Sequence, residues 1–269
     1  MKKIIALILA LAMVFSFTAC GGGGSDSGKS VIDDIKAKGK LTVGTSADYP
    51  PYEFHTEIDG VDTIVGFDIA IAKAIADDLG VELEIVDMSF DNLLMSLANG
   101  EFDMVIAAIT SNEEREKAVD FSDPYLESKS LILVKTADAG KYKTLDDIVG
   151  VKGGAQTGSI TYDRCVKYVG EATTVGLAKV QDLVMELQAG KLDLLFLDYM
   201  TVLTYAAVKE DLEAVDVGIP QDTEGYQIAV QEGNAELQEY INGVIAKLQE
   251  AGAIEGFIVE AQQQAGLDE

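Results

Sequence analysis

Apolar residues recur along this chain with two periods, and each change of period marks an element. Residues 41–45 alternate as a short strand and run into a turn stiffened by Pro50 and Pro51. From about residue 64 the pattern turns helical. Phe67, Ile71, Ala74, Ile75 and Leu79 share one face, and Gly80 suits the C-terminal cap. Residues 81–86 alternate apolar and acidic, as a half-buried strand does, and Ser89 opens a second helix that ends near Gly100. Residues 102–109 form a continuous apolar run, the mark of a parallel strand buried on both faces. Polarity then changes abruptly: Ser111 and Glu114 make a capping box, which predicts a helix start with Arg115 one turn in. Pro124 forces a turn.

The second half repeats this rhythm. Residues 131–135 predict a strand, 144–149 a short helix capped by Thr144, and 151–155 another strand-like run. The glycine turn Gln156-Thr157-Gly158-Ser159 precedes a helix over 160–169. A helix over 180–188, an apolar strand over 192–197 and a helix over 199–208 follow. A late strand over 225–230 leads to a long helix capped by Asn234, with Leu237, Tyr240, Ile241, Val244, Ile245 and Leu248 on its apolar face. Strands alternating with helices imply α/β units and parallel sheets.

One repeat bears on the architecture. Residues 92–103 lie over 182–193 at an offset of 90 throughout, with Leu, Met, Leu, Gly and Asp coinciding. A helix–glycine–strand unit recurring in two halves predicts two similar lobes. Open α/β sheets bind ligands at the carboxyl ends of their strands. On that rule one lobe delivers Ala108, Thr110 and Arg115 to a cleft, and the other delivers Leu197 and Asp198. A hydroxyl, a helix start and a planar guanidinium suit a carboxylate. The same stretch also reads as a capped surface helix with a solvated arginine, and Asp198 as the N-cap before Tyr199. An arginine and an aspartate on opposite lobes would grip a zwitterion from both sides.

Composition narrows the classes. With 269 residues, 48% of them hydrophobic, the chain can fill one large domain or two small ones. A net charge of −26 excludes a nucleic acid as partner, because phosphate binding needs Lys and Arg to displace counterions. Lys2 and Lys3 precede an apolar stretch over 4–17, too short to span a bilayer, and then small residues and Cys20; residues 1–20 read as a secretory signal. Residues 21–30 read as a Gly/Ser-rich tether. Cys165 has no partner, so no disulfide framework or cysteine metal site is expected. His55 is the only histidine and lies in a polar segment, as a surface residue does. No cofactor is expected.

Several segments then matter by their order and spacing: Leu41-Thr42-Val43-Gly44-Thr45, Tyr49-Pro50-Pro51-Tyr52-Glu53-Phe54, Val65-Gly66-Phe67-Asp68-Ile69, Phe90-Asp91 with Leu97, Phe102-Asp103-Met104-Val105-Ile106-Ala107, Arg115, Val119-Asp120-Phe121-Ser122-Asp123-Pro124-Tyr125 and Gly225-Tyr226-Gln227-Ile228-Ala229-Val230. Together they resemble the bacterial extracellular solute-binding proteins of family 3, the amino-acid receptors of ABC importers. Thr18-Ala19-Cys20 is similar to a bacterial lipobox, with Phe17 where that pattern usually has Leu. The resemblance implies lipidation at Cys20, an extracytoplasmic place at the cell membrane, and a monomer that hands its ligand to permease transmembrane subunits. It implies a two-lobe, Venus-flytrap α/β fold with crossovers near 127–130 and 222–226. Lobe 1 would hold residues 31–127 plus 225–269, and lobe 2 residues 128–224.

It also implies roles for side chains. Tyr49 and Phe90 would sandwich the ligand's side chain. The Ala108 backbone, the Thr110 hydroxyl and Arg115 would hold its α-carboxylate. Asp198 would take the α-ammonium, with Ser159 and its neighbours adding contacts. Ser46 stands where binders of basic amino acids typically carry an aspartate; with Gln156 and Leu197 it points to a polar, uncharged amino acid. Two other readings stay open. One is a sensor that reports to a separate signalling protein. The other is a secreted cyclohexadienyl-dehydratase-like lyase using Glu53 or Asp48, both of which also suit the surface. The segment after Gly252 lacks the family's usual aromatic-basic ending.

Overall fold

Two five-stranded mixed sheets organise the computed structural model, which describes residues 30–266. The signal segment, Cys20 and all of the tether before Ser30 lie outside the described residues. The first sheet uses β1 (Lys40–Thr45), β5 (Glu82–Asp87), β6 (Met104–Val105), β7 (Val119–Phe121) and β13 (Ala229–Gln231), in the order β5-β1-β6-β13-β7. The second uses β8 (Ser130–Lys135), β9 (Gly153–Gln156), β10 (Thr174–Leu177), β11 (Leu194–Asp198) and β12 (Leu212–Val215), in the order β10-β9-β11-β8-β12. In each sheet the first three strands are parallel and the last two pairings antiparallel. The two sheets therefore share one topology. The repeat is visible in it, since Met104 opens β6 and Leu194, 90 residues on, opens the equivalent β11.

The expected parallel sheets are present in part: β8 and β13 make each sheet mixed. Each follows a crossover from the other sheet and enters against the strand direction. The crossovers run side by side: Leu126 and Tyr226 form an antiparallel bridge, and the Tyr226 N–H donates to the Leu126 carbonyl at 2.8 Å. Gly225 permits this approach. Its φ is +137°, and a Cβ there would meet the Leu126 carbonyl oxygen at 2.6 Å. Buried Arg164 braces the pair, donating to the Ser130 hydroxyl at 2.6 Å and pairing with Asp222.

Helix α1 (Val31–Lys38) precedes β1, and α2 (Phe67–Leu79) forms on the predicted face, burying Phe67, Ile71, Ile75 and Leu79. Burying such side chains contributes roughly 1.5–3 kcal/mol each. Gly80 ends α2 in the left-handed conformation, as its lack of a Cβ allows. α3 (Leu93–Ala98), α4 (Ile160–Val169), α5 (Val180–Gln188), α6 (Tyr199–Val208) and α7 (Ala235–Glu250) follow the sequence periodicity. Ser159 and Asn234 cap α4 and α7 through their side chains. After Gly252 the chain forms α8 (Ala253–Gln264), which buries Ile254 and Ala261 in the core shared with α2.

Two expectations change. The proline turn is flanked by a small sheet for which no strands were expected: β2 (Asp48–Tyr49), β3 (Glu53–Ile58) and β4 (Val61–Val65) pair antiparallel, with β3 and β4 joined at Asp59-Gly60, both at positive φ. The Ser111 capping box is absent. Asn112 supplies the cap instead, its side-chain oxygen accepting from the N–H groups of Glu114 at 3.1 Å and Arg115 at 2.8 Å. Only one 3₁₀ turn, Arg115–Lys117, follows. The Ser111 N–H donates to Gln227 at 3.0 Å, and the next residues are drawn into the sheet as β7.

Candidate functional site

The ends of β2, β6, β9 and β11 meet around one narrow cavity. Tyr49, Phe90, Ala108, Thr110, Arg115, Gln156, Ser159 and Asp198 line it, together with Ala107, Ile160 and Thr161. The cavity holds about 20 Å³, room for one water, so a larger ligand enters only when the two sides separate. The sides are latched directly. The Tyr49 hydroxyl donates to an Asp198 oxygen at 3.0 Å and accepts from the Asp198 N–H at 2.7 Å. Asp48 accepts from the Val180 N–H at 2.7 Å and from the Gln156 amide at 3.2 Å.

Arg115 defines one wall. Its guanidinium donates to the Thr110 carbonyl at 2.6 Å and, across the cleft, to the Gly158 carbonyl at 2.9 Å. It also lies 5.6 Å from the Phe90 ring centroid, within cation–π range. Asp198 forms the opposite wall. It occupies the N-cap position of α6, yet its side chain makes no capping bond and is turned to Tyr49. One Asp198 oxygen and the Thr110 hydroxyl are buried without any partner among the protein groups. A buried polar atom without a partner carries a free-energy cost, so both atoms are available to a polar ligand.

Burial raises the Asp198 carboxyl from 3.8 to about 6, against the opposing pull of the Tyr226 and Tyr49 hydroxyls and of Arg164 and Arg115. Burial also raises Asp48, although three donors hold it. Neither carboxylate is in direct ion-pair contact with a basic side chain. The cavity therefore favours a cationic or hydrogen-donating group beside Asp198, while Asp48 stands behind Gln156 in the neighbouring cleft.

Some expected contributors act differently. Ser46 lies off this cavity; its hydroxyl donates to Asp48 at 3.2 Å and it lines a neighbouring cleft with Asp87 and Lys179. Leu197 is fully buried in the core and does not reach the cavity. The Ser159 hydroxyl is committed to the Gln156 carbonyl at 2.7 Å while capping Tyr162. The Ala108 N–H donates to Asp68 at 2.8 Å, which leaves Ala108 only its carbonyl to offer. Glu53 and Asp48, read as suited to the surface, are buried, at 1% and 7% exposure. Thr161 was not expected at the site, although it sits on the first turn after Ser159. Asp48, weighed only as a lyase carboxylate, lies behind Gln156 and lines the neighbouring cleft. His55 is exposed and sits between Asp62 and Asp87. Cys165 is free and buried. Among the described residues no cluster of His, Cys, Asp and Glu is placed to hold a metal ion, and no helix is long and apolar enough to cross a membrane.

The sequence model of the bacterial extracellular solute-binding proteins, family 3, matches residues 41–259. The chain is 32% identical to the arginine-binding extracellular protein ArtP of Bacillus subtilis (strain 168), over 95% of this chain and 96% of that one. It is 30% identical to the L-cystine-binding protein TcyJ of Escherichia coli (strain K12), over 92% and 90% of the two chains. Among solved structures, an amino acid ABC transporter substrate-binding protein from Streptococcus pneumoniae, bound to L-arginine, superposes with a TM-score of 0.84 at 38% identity, covering 87% of this chain and 98% of that one.

Proposed function

The chain belongs to the bacterial extracellular solute-binding proteins of family 3, and from that premise we propose that it is the substrate-binding component of an ABC importer, closing on an L-amino acid and delivering it to the membrane permease. One observation carries the reading. A desolvated carboxylate, Asp198, and a half-buried guanidinium, Arg115, stand on opposite walls of one cavity, each wall also holding a buried polar atom with no partner. An α-ammonium beside Asp198 and an α-carboxylate beside Arg115 and Thr110 satisfy all of them at once. The ligand's side chain then passes between Tyr49 and Phe90 toward Gln156.

The two lobes comprise residues 31–127 with 225–269 and residues 128–224, and they open about the paired crossovers at Leu126 and Tyr226. Only the closed state joins both sets of contacts, so binding favours closure. Of the two carboxyl groups weighed for a lyase, Asp48 is engaged by Val180 and Gln156, and neither Asp48 nor Glu53 lines the cavity, which favours a receptor over an enzyme.

Behind Gln156 and outside the cavity lining, the Asp48 carboxylate holds the Gln156 amide; a ligand side chain long enough to displace that contact would donate hydrogen bonds to Asp48, L-arginine before L-glutamine. The argument from Ser46 for an uncharged ligand loses its basis, since Ser46 supports Asp48 and does not face the cavity. A thermal-shift screen of the twenty amino acids plus cystine tests this. A ligand at 100 times its Kd adds about 2.7 kcal/mol to stability. L-arginine is expected to give the largest shift, and Asp48→Asn to reduce the arginine shift more than the glutamine shift. No shift with any amino acid would overturn the reading, and turnover of one would overturn the receptor role.

Cys20 carries the lipid that anchors the protein outside the cytoplasm, and residues 21–30 let a monomeric receptor reach its permease. The Cys20→Ala protein is expected in the medium or the soluble extracytoplasmic fraction. Its retention in membranes would rule out this anchor.

A further inference from the structure

Beneath the cavity lies a buried carboxyl pair that no ligand contact explains. Glu53, at the start of β3, and Asp68, in the first turn of α2, are 1% and 0% exposed, lie close enough for each carboxyl to perturb the other, and each keeps one buried oxygen without a partner. Gly66 makes the approach possible. Its φ is +126°, a Cβ there would lie 2.1 Å from the Tyr52 carbonyl oxygen, and the Asp68 N–H donates to that oxygen at 3.0 Å. One oxygen of Asp68 accepts from the Ala108 N–H at 2.8 Å and from the Tyr125 hydroxyl at 2.9 Å. Its other oxygen, and one oxygen of Glu53, are buried with no hydrogen-bond partner. Two neighbouring buried carboxylates with no cation between them repel unless a proton joins them. The other titratable groups acting on the pair are Asp48, Asp198 and Tyr125, and the carboxylates among them oppose a second negative charge. His55, on the same strand, is exposed and engaged with Asp62 and Asp87.

We propose that Glu53 and Asp68 share one proton, and that the pair is a positioning device holding Ala108 in the turn that shapes the ligand cavity. Ala108 is a non-glycine residue in the left-handed region, with φ +46°, a conformation that persists only when its surroundings impose it. Asp68 imposes it by accepting the Ala108 N–H, which leaves the carbonyl as the only backbone group Ala108 can offer the cavity. Glu53 serves Asp68: as the protonated partner it donates to the free Asp68 oxygen and spares the core a second charge. Desolvation holds the Glu53 carboxyl well above the usual carboxylate range, in keeping with its role as proton carrier. The positioning role rests on the reading of the cavity as the amino-acid site. The shared proton does not.

Infrared spectra of the full unliganded protein at pH 8 test the proton. Asp198, at about 6, is ionised there and does not contribute. The wild type is expected to keep a protonated-carboxyl C=O stretch, which Glu53→Gln removes because the amide N–H replaces the proton. No such band in the wild type, or the same band in E53Q, overturns the shared proton. Amide hydrogen exchange tests the positioning without a ligand. Ala108 is expected to exchange slowly in the wild type and in E53Q, fast in Asp68→Ala, and slowly again in Asp68→Asn, whose side-chain oxygen still accepts. With L-arginine as probe, E53Q should bind within about threefold of the wild type, and D68A about tenfold or more weakly, the scale of a buried donor left without an acceptor. Slow Ala108 exchange in D68A, or fast exchange in D68N, overturns the positioning role. Wild-type protein that binds no amino acid would instead defeat the reading of the cavity and leave the infrared and exchange results standing.

Discussion

Replacing Arg115 with alanine is expected to abolish tight amino-acid binding while leaving the unliganded fold intact. The guanidinium is preorganised: bonds to the Thr110 and Gly158 carbonyls fix its plane, and the Phe90 ring packs against it. A planar fork held this way meets a carboxylate without losing further side-chain freedom. Removing one partner of a buried charge pair costs about 2–5 kcal/mol, which is about 30-fold or more in affinity. The unliganded chain loses little, because Arg115 sits on one 3₁₀ turn and makes no ion pair within the core. Calorimetric titration with the amino acid found by the screen, beside a melting curve, checks both halves. Wild-type affinity in the variant would remove Arg115 from the site.

Asp198→Asn should act oppositely on affinity and on stability. The amide keeps the shape and can still meet the Tyr49 hydroxyl, but it offers no charge to an α-ammonium. Affinity is expected to fall about 30-fold or more. The unliganded protein should become more stable at neutral pH. With its carboxyl raised from 3.8 to about 6, the native state holds more protons than the unfolded chain between those values. Stability is then highest below that window and declines as pH rises through it. That rise corresponds to a cost on the order of 2–3 kcal/mol at neutral pH. The wild-type melting temperature should therefore rise as pH is lowered from about 7 to 5, and the variant should show a flatter profile. Asp68, also raised to about 6, keeps part of the slope. An intact isotherm, or a pH profile as steep as the wild type's, would count against this role. The cost is consistent with a site kept electronegative for its ligand at the expense of stability.

The recognition chemistry was partly legible in the chain because it sits at element ends. Arg115 follows an apolar strand, and Asp198 ends the equivalent strand 90 residues after Ala108. The repeat announced two similar sheets, and the shared topology of β5-β1-β6 and β10-β9-β11 carries it. The hairpin of β3 and β4 was overlooked although Asp59-Gly60 is a strong turn signal, because its strands are largely polar and half-exposed and lack the usual alternation. The Ser111 cap failed for a different reason. A capping box describes what a chain does when nothing else competes, and here Gln227, 116 residues away, takes the Ser111 N–H.

What the sequence determined by itself was local: the apolar face of α2 and its Gly80 cap, the Asn234 cap, the bounds of α5 and α6, and the pair of charges suited to a zwitterion. These depend on neighbours within one or two turns, and such spacing is written directly in the chain. Only the tertiary structure decided which polar groups remain free. Ser159, Ser46 and the Ala108 N–H all looked available, and each is taken by a partner. Asp48 and Glu53 looked ready for solvent, and the closing sheets bury both. Hydrogen-bond partners and desolvation are set by residues distant in sequence, so the charges that recognise a ligand, and the proton beneath them, exist only once both sheets have formed around Tyr49, Asp68 and Asp198.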